Sequence, residues 1–171
     1  MKLLSMIAAA AVAVSLAPTV QAADLTGTLA KIDKSGEIVI GHRESSVPFA
    51  YLDENQKPID YSMDLCAKIV DAVSAELGKP LNVKYVPVNP KTRIALMANG
   101  TIDLECGSTT NNLTRQQQVE YLPVTFVTGT KLMVRKGSGI TSVKDLAGKA
   151  VALAQGTTNE RAVKAAAESM N

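Results

Sequence analysis

Residues 103–118, "DLECGSTTNNLTRQQQ", form the segment that decides the fold. The pattern predicts a strand that ends at Cys106, a polar loop, and a helix that begins near Thr110. Arg115 then lies near the first turn of that helix, where backbone N–H groups already present partial positive charge. An arginine is well placed there if an anion lies between it and those groups. The alternative is that these residues are ordinary helix caps beside a solvated arginine.

Strands and helices alternate on both sides of this segment. The predicted strands are residues 37–41, 81–88, 101–106 and 149–155. The predicted helices are residues 61–77, 90–98, 110–120 and the stretch from 159 onward, with a single helical turn at 142–146 and an extended stretch at 125–136. Alternation of this kind predicts an α/β fold with a mostly parallel sheet and helices on its faces.

Distinctive polar segments follow the predicted strands. Arg43, Arg93 and Arg115 follow the first three strands, and Thr157 and Thr158 follow the last. Ligands of open α/β sheets bind at the carboxyl ends of the strands, beside helix N-termini. The planar guanidinium group of arginine suits a carboxylate, because it forms two parallel charge-assisted hydrogen bonds. The sequence therefore predicts an anion site, with hydroxyl groups from Ser108 and Thr110, at this edge.

The first 22 residues are typical of a secretory signal peptide. Lys2 precedes an apolar run, residues 3–16, and Val20-Gln21-Ala22 is a small-x-small cleavage signal, so we expect cleavage after Ala22. The alternative is a buried N-terminal helix. Removing Lys2 lowers the formal net charge of +2 by one. A nearly neutral chain is not expected to bind nucleic acid, because nucleic-acid-binding proteins carry a basic excess.

The chain contains two cysteines, Cys66 and Cys106. Export to an oxidising compartment would permit a disulfide, but sequence alone does not establish one. Cys66 shares a predicted helical face with Ile69 and Val73, so we expect it to be buried as a small apolar residue. One histidine, His42, and two cysteines make no zinc site. We expect His42 to pack rather than to bind, and we predict no metal and no cofactor.

Three stretches resemble the glutamate/aspartate-binding periplasmic proteins of ABC importers: "GHRESSVPFAY" (41–51), "NGTIDLECGSTTNN" (99–112) and "VTGTKLMVRKGSGI" (127–140). The resemblance extends over residues 32–165. It implies a type II periplasmic-binding-protein-like fold, in which two α/β lobes are joined by a hinge and clamp the ligand between them. It places the first part of lobe one at residues 23–126, and the hinge crossover with the start of lobe two at residues 127–171. Because the sequence stops within a predicted helix, we expect an N-terminal fragment.

The resemblance also implies a role for each site residue. Arg115, Ser108 and Thr110 resemble the residues that hold the α-carboxylate, and Arg43 and Arg93 resemble those that hold the side-chain carboxylate. Thr157 and Thr158 resemble second-lobe contacts that engage on closure. Thr157 also fits a capping box with Glu160, which needs no ligand. Related proteins often have serine at the position of Pro90, so the preference between glutamate and aspartate stays open.

The resemblance further implies a binding protein that is not an enzyme. It would bind L-glutamate or L-aspartate in the periplasm and deliver it to the membrane permease subunits of an ABC importer. We expect it to be monomeric. Two alternatives remain open: an enzyme on the same scaffold, similar to prephenate or arogenate dehydratases, and the sensor domain of a receptor.

Overall fold

The computed structural model describes residues 24–170, so the predicted signal peptide and its cleavage site lie outside the described residues. The helices are α1 (Gly27–Ser35), α2 (Tyr61–Leu77), α3 (Arg93–Ala98), α4 (Leu113–Gln116) and α5 (Thr158–Glu168), and Val143–Leu146 forms a 3-10 helix. The strands are β1 (Glu37–His42), β2 (Ser45–Ser46), β3 (Ala50–Leu52), β4 (Pro58–Ile59), β5 (Asn82–Pro87) and β6 (Leu104–Cys106).

The main sheet is parallel and has the order β5-β1-β6. Its central strand, β1, is buried along almost its whole length, as expected for a parallel sheet covered on both faces. Ile40, Met63 and Cys66 belong to the core on one face, and Val39 and Ile102 belong to the core on the other. The predicted α/β architecture with a parallel sheet is confirmed, and all three strands end at the edge where the predicted site residues begin.

The side chain of Asp103 extends the pairing between β1 and β6 by one residue. Its Oδ2 atom accepts a hydrogen bond from Val39 N at 2.9 Å, and its own backbone N donates to Val39 O at 2.8 Å. Lys31 of α1 donates to the other carboxylate oxygen at 2.8 Å. Asp103 therefore fixes the register of β6 on β1, and with it the position of the loop that follows β6.

A second, antiparallel sheet of three short strands, in the order β2-β3-β4, follows β1. None of the strands predicted from the sequence falls in this region. The hairpin brings Ser46 to Ser108, with 2.9 Å between the two hydroxyl oxygens. It therefore supports the loop after β6 from the side.

Several predicted boundaries are wrong. The helix predicted at 90–98 begins at Arg93, because the side chain of Asn89 accepts hydrogen bonds from the backbone of Lys91 and Thr92 and holds them in a turn. The helix predicted at 110–120 is limited to α4, where Asn112 accepts from Arg115 N and acts as the N-cap. The sequence analysis also missed helix α1 entirely.

The C-terminal segment, residues 127–170, is less densely packed than the region before it. The strand predicted at 149–155 is absent, because no strand pairs with these residues. The helical turn predicted near Ser142 and the final helix are confirmed as the 3-10 helix and α5. The segment contributes no buried residue to the described structure. Among residues 24–170, no helix combines the length and apolar character that crossing a bilayer requires.

Cys66 and Cys106 form a disulfide bond between α2 and β6, so the expectation that Cys66 is merely a buried apolar residue was wrong. The sulfur atoms meet because the middle of α2 packs across the end of β6. Both residues are nevertheless buried in the core. The bond anchors β6 two residues before Ser108 and links 40 residues of chain into one loop.

Candidate functional site

The three predicted arginines converge near the carboxyl edge of the parallel sheet. Arg43 directly follows β1, Arg93 begins α3 after β5, and Arg115 lies in α4 after β6. Arg93 and Arg115 are only 3% and 7% exposed, and Arg43 is half-buried. Each of these positive charges influences the same carboxyl group, that of Glu105 on β6. The structure therefore brings the three arginines together near one edge of the sheet, and their role in binding stays a prediction.

Arg93 lies close to Glu105, but Glu105 does not use the hydrogen-bond donors of its guanidinium group. The distance from Arg93 Nη1 to Glu105 Oε1 is 3.8 Å, which brings opposite charges together but is too long for a hydrogen bond. Within the described structure, Arg93 Nε and Nη1 and Glu105 Oε1 are buried without hydrogen-bond partners. Buried polar atoms of this kind are uncommon in proteins. They leave hydrogen-bonding capacity for a ligand.

Burial governs the protonation of this pair. Burial lowers the pKa of Arg93, and the neighbouring positive charges of Arg115 and Arg43 lower it further, while Glu105 opposes them. Burial also raises the pKa of the Glu105 carboxyl, against the three guanidinium groups that lower it. The pKa of arginine is so high that Arg93 remains charged. Glu105 is therefore the group in this site whose charge responds to its surroundings.

Gly107 permits the loop after β6 to approach these charges. A Cβ atom at this position would lie 2.5 Å from Glu105 Oε1 and 2.9 Å from Arg43 Cγ. Real side-chain carbons do not come so close to neighbouring atoms. The absence of a side chain at Gly107 therefore allows Arg43 and Glu105 to lie on either side of the backbone that leads to Ser108.

Arg115 connects the loop after β6 to the C-terminal segment. Its Nη1 atom donates to Thr110 O at 2.8 Å, and its Nη2 atom donates to Gly156 O at 3.1 Å. Gly156 has a positive φ of 82°, and a Cβ atom there would lie 2.8 Å from the carbonyl oxygen of Pro90. A glycine is therefore required where the C-terminal segment meets the three-arginine edge.

The hydroxyl groups of the predicted site contact one another in this structure. Thr110 Oγ1 lies 3.1 Å from Thr158 Oγ1, so the two sides of the cleft meet at these residues. Ser108 lies against Ser46 as described above. The structure thus brings Thr158 together with the residues that follow β6.

Thr157 acts as the N-cap of α5. Its Oγ1 atom accepts a hydrogen bond from Glu160 N at 3.0 Å and donates one to Ala154 O at 2.8 Å. The capping-box prediction is only half fulfilled, because the Glu160 carboxylate accepts from Gly156 N rather than from the backbone of Thr157. Both hydrogen-bonding functions of this hydroxyl are therefore used within the chain.

Two adjoining cavities border part of this site, and among the described residues Arg43, Arg115, Thr157 and Thr158 line neither of them. The first, of about 200 Å³, is lined by Arg93, Glu105 and the disulfide. The second, of about 350 Å³, is lined by Ser108, Thr110 and Phe49, whose ring packs edge-on against Phe126. The walls that both cavities share include Ser62, Gly107, Thr109 and Tyr121. A small amphipathic molecule could lie across both, with one polar end near Ser108 and the other near Arg93.

Sequence reasoning missed four contributors to this site: Ser46, Glu105, Tyr121 and Gly156. Glu105 falls within the strand predicted at 101–106, where nothing in the sequence pattern marks it as part of the site. Tyr121 donates a hydrogen bond from its hydroxyl to Thr110 O at 3.3 Å, and burial raises the pKa of its hydroxyl. No local pattern identifies these residues, because each acquires its role from a segment distant in sequence.

His42 packs in the core, as expected. It is 5% exposed, its Nδ1 atom lies 3.2 Å from Arg43 O, and its ring meets Tyr85 edge-on. Across residues 24–170, no group of three or more histidine, cysteine, aspartate or glutamate side chains is arranged to hold a metal ion.

Sequence comparison identifies relatives over most of the chain. Residues 38–170 match the family described as bacterial extracellular solute-binding proteins, family 3. The glutamate/aspartate import solute-binding protein of Salmonella typhimurium is 54% identical over 78% of this chain and 44% of its own length. The L-glutamate/L-aspartate-binding protein of Pseudomonas aeruginosa is 50% identical over 94% of this chain and 54% of its own length. The chain thus spans about half the length of these relatives.

Solved structures lead to the same family. The ancestral amino-acid-binding protein AncCDT-1, described as a precursor of cyclohexadienyl dehydratase, superposes with a TM-score of 0.69 and 28% identity over 81% of this chain and 60% of its own. The predicted type II periplasmic-binding-protein-like fold is confirmed for the part that the described residues represent. The chain belongs to the bacterial extracellular solute-binding proteins, family 3.

Proposed function

We propose that the protein is the periplasmic substrate-binding component of an ABC importer and that it binds L-glutamate or L-aspartate. The observation that carries this proposal is the convergence of three arginines on one cleft edge, two of them buried. The buried guanidinium group of Arg93 has unused donors and favours an anionic ligand, because an anion both neutralises the charge and accepts the hydrogen bonds. The names of the two relatives, which refer to glutamate and aspartate, support the same ligand class.

The proposed contacts divide the ligand between the two ends of the cleft. Arg115, Ser108 and Thr110 would hold the α-carboxylate, while Arg43 and Arg93 would hold the side-chain carboxylate. In the described structure Arg115 donates to two carbonyl oxygens, Thr110 O and Gly156 O. A ligand carboxylate is a stronger acceptor than a carbonyl group, so it would displace at least one of these contacts.

Closure would bring the second lobe onto the ligand. We propose residues 23–126 as the first part of lobe one and residues 127–171 as the crossover and the start of lobe two. The contact between Thr110 and Thr158 supports Thr158 as a closure contact. Thr157 is proposed with it because its neighbour Gly156 accepts a hydrogen bond from Arg115, although its own hydroxyl would have to release a contact within the chain to bind the ligand. Ligand binding can favour closure only if the closed form binds the ligand more tightly. The closed form would then be presented to the permease subunits.

Transport is the favoured role rather than catalysis. The relatives from Salmonella typhimurium and Pseudomonas aeruginosa are named as import or binding proteins, and AncCDT-1 itself is named as an amino-acid-binding protein. The periplasmic location follows from this role and from the predicted signal peptide, and we propose a monomer as the functional form.

Calorimetric titration of the protein expressed from its complete gene tests the proposal. We expect saturable binding of L-glutamate or L-aspartate, and no binding of L-glutamine under the same conditions. Leaving a buried guanidinium without its counter-charge costs about 3–5 kcal/mol, which corresponds to a discrimination of roughly a hundredfold or more. Absence of binding for both acidic amino acids would refute the proposal.

A matched pair of arginine variants tests the site itself. Arg115→Lys keeps the charge but loses the planar pair of donors, so it removes a charge-assisted hydrogen bond worth about 1.5–3 kcal/mol. The dissociation constant should rise about 10- to 100-fold. Arg135→Lys, at an exposed position in the C-terminal segment, is the control and should leave binding unchanged. Equal effects of the two variants would contradict the assignment of Arg115.

A further inference from the structure

Glu105 supplies a negative charge that the proposed contacts leave unexplained. It lies among the arginines proposed to hold the ligand, where an acidic residue would repel an acidic amino acid. Its Oε1 atom is buried, lacks a hydrogen-bond partner within the described structure, and lies 3.8 Å from Arg93 Nη1. The opposite charges attract each other at this distance, but the hydrogen-bonding capacity of both groups is unused.

Charged and titratable groups from several segments surround Glu105. Arg93 comes from α3, Arg43 follows β1, Arg115 comes from α4, and Tyr121 follows α4. Burial raises the pKa of Glu105 and is the largest influence, whereas the guanidinium groups and the hydroxyl of Thr109 lower it. Because burial raises the pKa of Tyr121 as well, its hydroxyl remains neutral near pH 7. Glu105 is thus the acid in the cluster that can change its charge when a ligand arrives.

A second carboxylate in this cluster would change the protonation of Glu105. Arg43 and Arg93 are the groups proposed to attract the side-chain carboxylate of the ligand, and both lie next to Glu105. A second carboxylate in the same buried site raises the pKa of Glu105, because like charges disfavour each other's ionised form. The protonated acid then donates a hydrogen bond to the ionised one, which also gives the unused Glu105 oxygen a partner.

We propose, on the basis of the acidic-amino-acid function above, that Glu105 is a specificity-determining residue that takes up one proton as the ligand enters and donates a hydrogen bond to the ligand's side-chain carboxylate. Glu105, which donates this hydrogen bond, lies beside Arg93, whose Nε and Nη1 atoms are also unused donors. The ligand carboxylate would therefore receive donors from both members of the buried pair.

The proposal determines the sign of the pH dependence. A ligand carboxylate raises the pKa of Glu105, so glutamate binds most tightly below the pKa of the free protein. Affinity then decreases as the pH rises from the pKa of the free protein to that of the complex, by at most about tenfold per pH unit for one proton. A ligand with a side-chain amide, which can donate to an ionised Glu105, takes up no proton. The preference for glutamate over glutamine should therefore decrease as the pH rises.

Calorimetric titration in paired buffers of different ionisation enthalpy measures the proton directly. The experiment uses the protein from its complete gene, with L-glutamate, between pH 5.5 and 8.5, a range of about three units that lies above the ordinary pKa of the ligand carboxylate. We expect uptake of up to one proton per ligand for the wild type. Glu105→Gln, which can donate at every pH, should show no uptake, a dissociation constant independent of pH, and tighter binding than the wild type at high pH. Glu76→Gln, at an exposed position of α2, is the control and should behave like the wild type.

Each outcome of this experiment supports or overturns the proposal. Proton uptake that persists in Glu105→Gln would assign the proton to another group, and absence of uptake in the wild type would also overturn the proposal. If Glu105→Gln fails to fold, Glu105→Asp retains a carboxyl group at a changed distance and should shift the midpoint of the pH dependence. An unchanged midpoint would contradict the role of Glu105. Absence of glutamate and aspartate binding at every pH would instead refute the proposed function on which this inference rests.

Discussion

Replacement of Asp103 by alanine tests how the site is positioned. Asp103 lines neither cavity of the candidate site, but its carboxylate accepts hydrogen bonds from Val39 N at 2.9 Å and from Lys31 Nζ at 2.8 Å. Its side chain is 2% exposed, whereas that of Lys31 is 45% exposed. The two contacts are therefore unequal, since a buried backbone N–H has no water to replace its partner, while an exposed ammonium group does.

The expected cost follows from this difference. Asp103→Ala leaves Val39 N unpaired inside the sheet and removes a hydrogen bond to a charged acceptor, so we expect a loss of about 2–4 kcal/mol in the free energy of unfolding. Lys31→Ala removes the half-exposed partner together with its second hydrogen bond, to Gly100 O. It leaves the bond from Val39 N to the carboxylate in place, and the space that the lysine side chain vacates lets water reach Asp103 Oδ1. Ion pairs with an exposed partner contribute about 0–1 kcal/mol, so Lys31→Ala should cost no more than about 1 kcal/mol.

Urea unfolding monitored by circular dichroism measures both variants in the protein from its complete gene. Hydrogen exchange at the Val39 amide supplies a local measurement, which should become faster in Asp103→Ala and remain unchanged in Lys31→Ala. Equal destabilisation by the two variants would show that the ion pair, rather than the bond to the backbone, carries the contribution. A loss below about 1 kcal/mol for Asp103→Ala would refute the reasoning altogether.

Three further predictions concern the site and its surroundings. Replacing Cys66 and Cys106 by alanine should cost about 4 kcal/mol of unfolding free energy, as chain entropy predicts for the loop of 40 residues that the disulfide closes; a cost below about 1 kcal/mol in urea unfolding would contradict this estimate. Gly107→Ala should weaken glutamate binding about tenfold or more, because its Cβ would displace the two charged side chains that flank it; an unchanged dissociation constant in calorimetric titration would contradict this role. Backbone N–H groups at the start of the 3-10 helix donate to the Asp145 carboxylate and lower its pKa. The stabilisation from this cap is therefore present above the ordinary carboxyl pKa of about 3.9 and is lost as the pH falls through the lowered value. Amide chemical shifts that report no titration between pH 6 and 2, a span of about four units, would contradict this role.

The site residues that sequence reasoning identified are those whose local pattern reflects their position. Arg43, Arg93 and Arg115 each follow a strand of the parallel sheet, and the carboxyl ends of parallel strands meet at one edge. This regularity is enough to predict that the arginines approach one another. Their pairing with Glu105 could not be predicted, because the direction of a strand side chain depends on register, and Asp103 fixes that register through a contact with β1.

Helix boundaries depended on side-chain competition that the periodic pattern does not contain. Asn89 and Asn112 accept backbone hydrogen bonds that delay or define the starts of α3 and α4. Helix α1 was missed because its apolar positions are few, with only Ile32 buried. The stretch at 149–155 has the composition of a strand, but a strand needs a hydrogen-bonded neighbour, and no segment of the described structure pairs with it.

By itself, the sequence determined the α/β class, the parallel order of strand and helix, and the edge at which the arginines gather, since these properties follow from periodicity and chain direction. Only the tertiary structure decided which charges face each other, that Cys66 and Cys106 are joined, and that Gly156 meets both Arg115 and Pro90. The physical reason is that hydrogen bonds, ion pairs and disulfides act over a few ångströms. Their partners here lie up to tens of residues apart in the chain, and only packing brings them within that range.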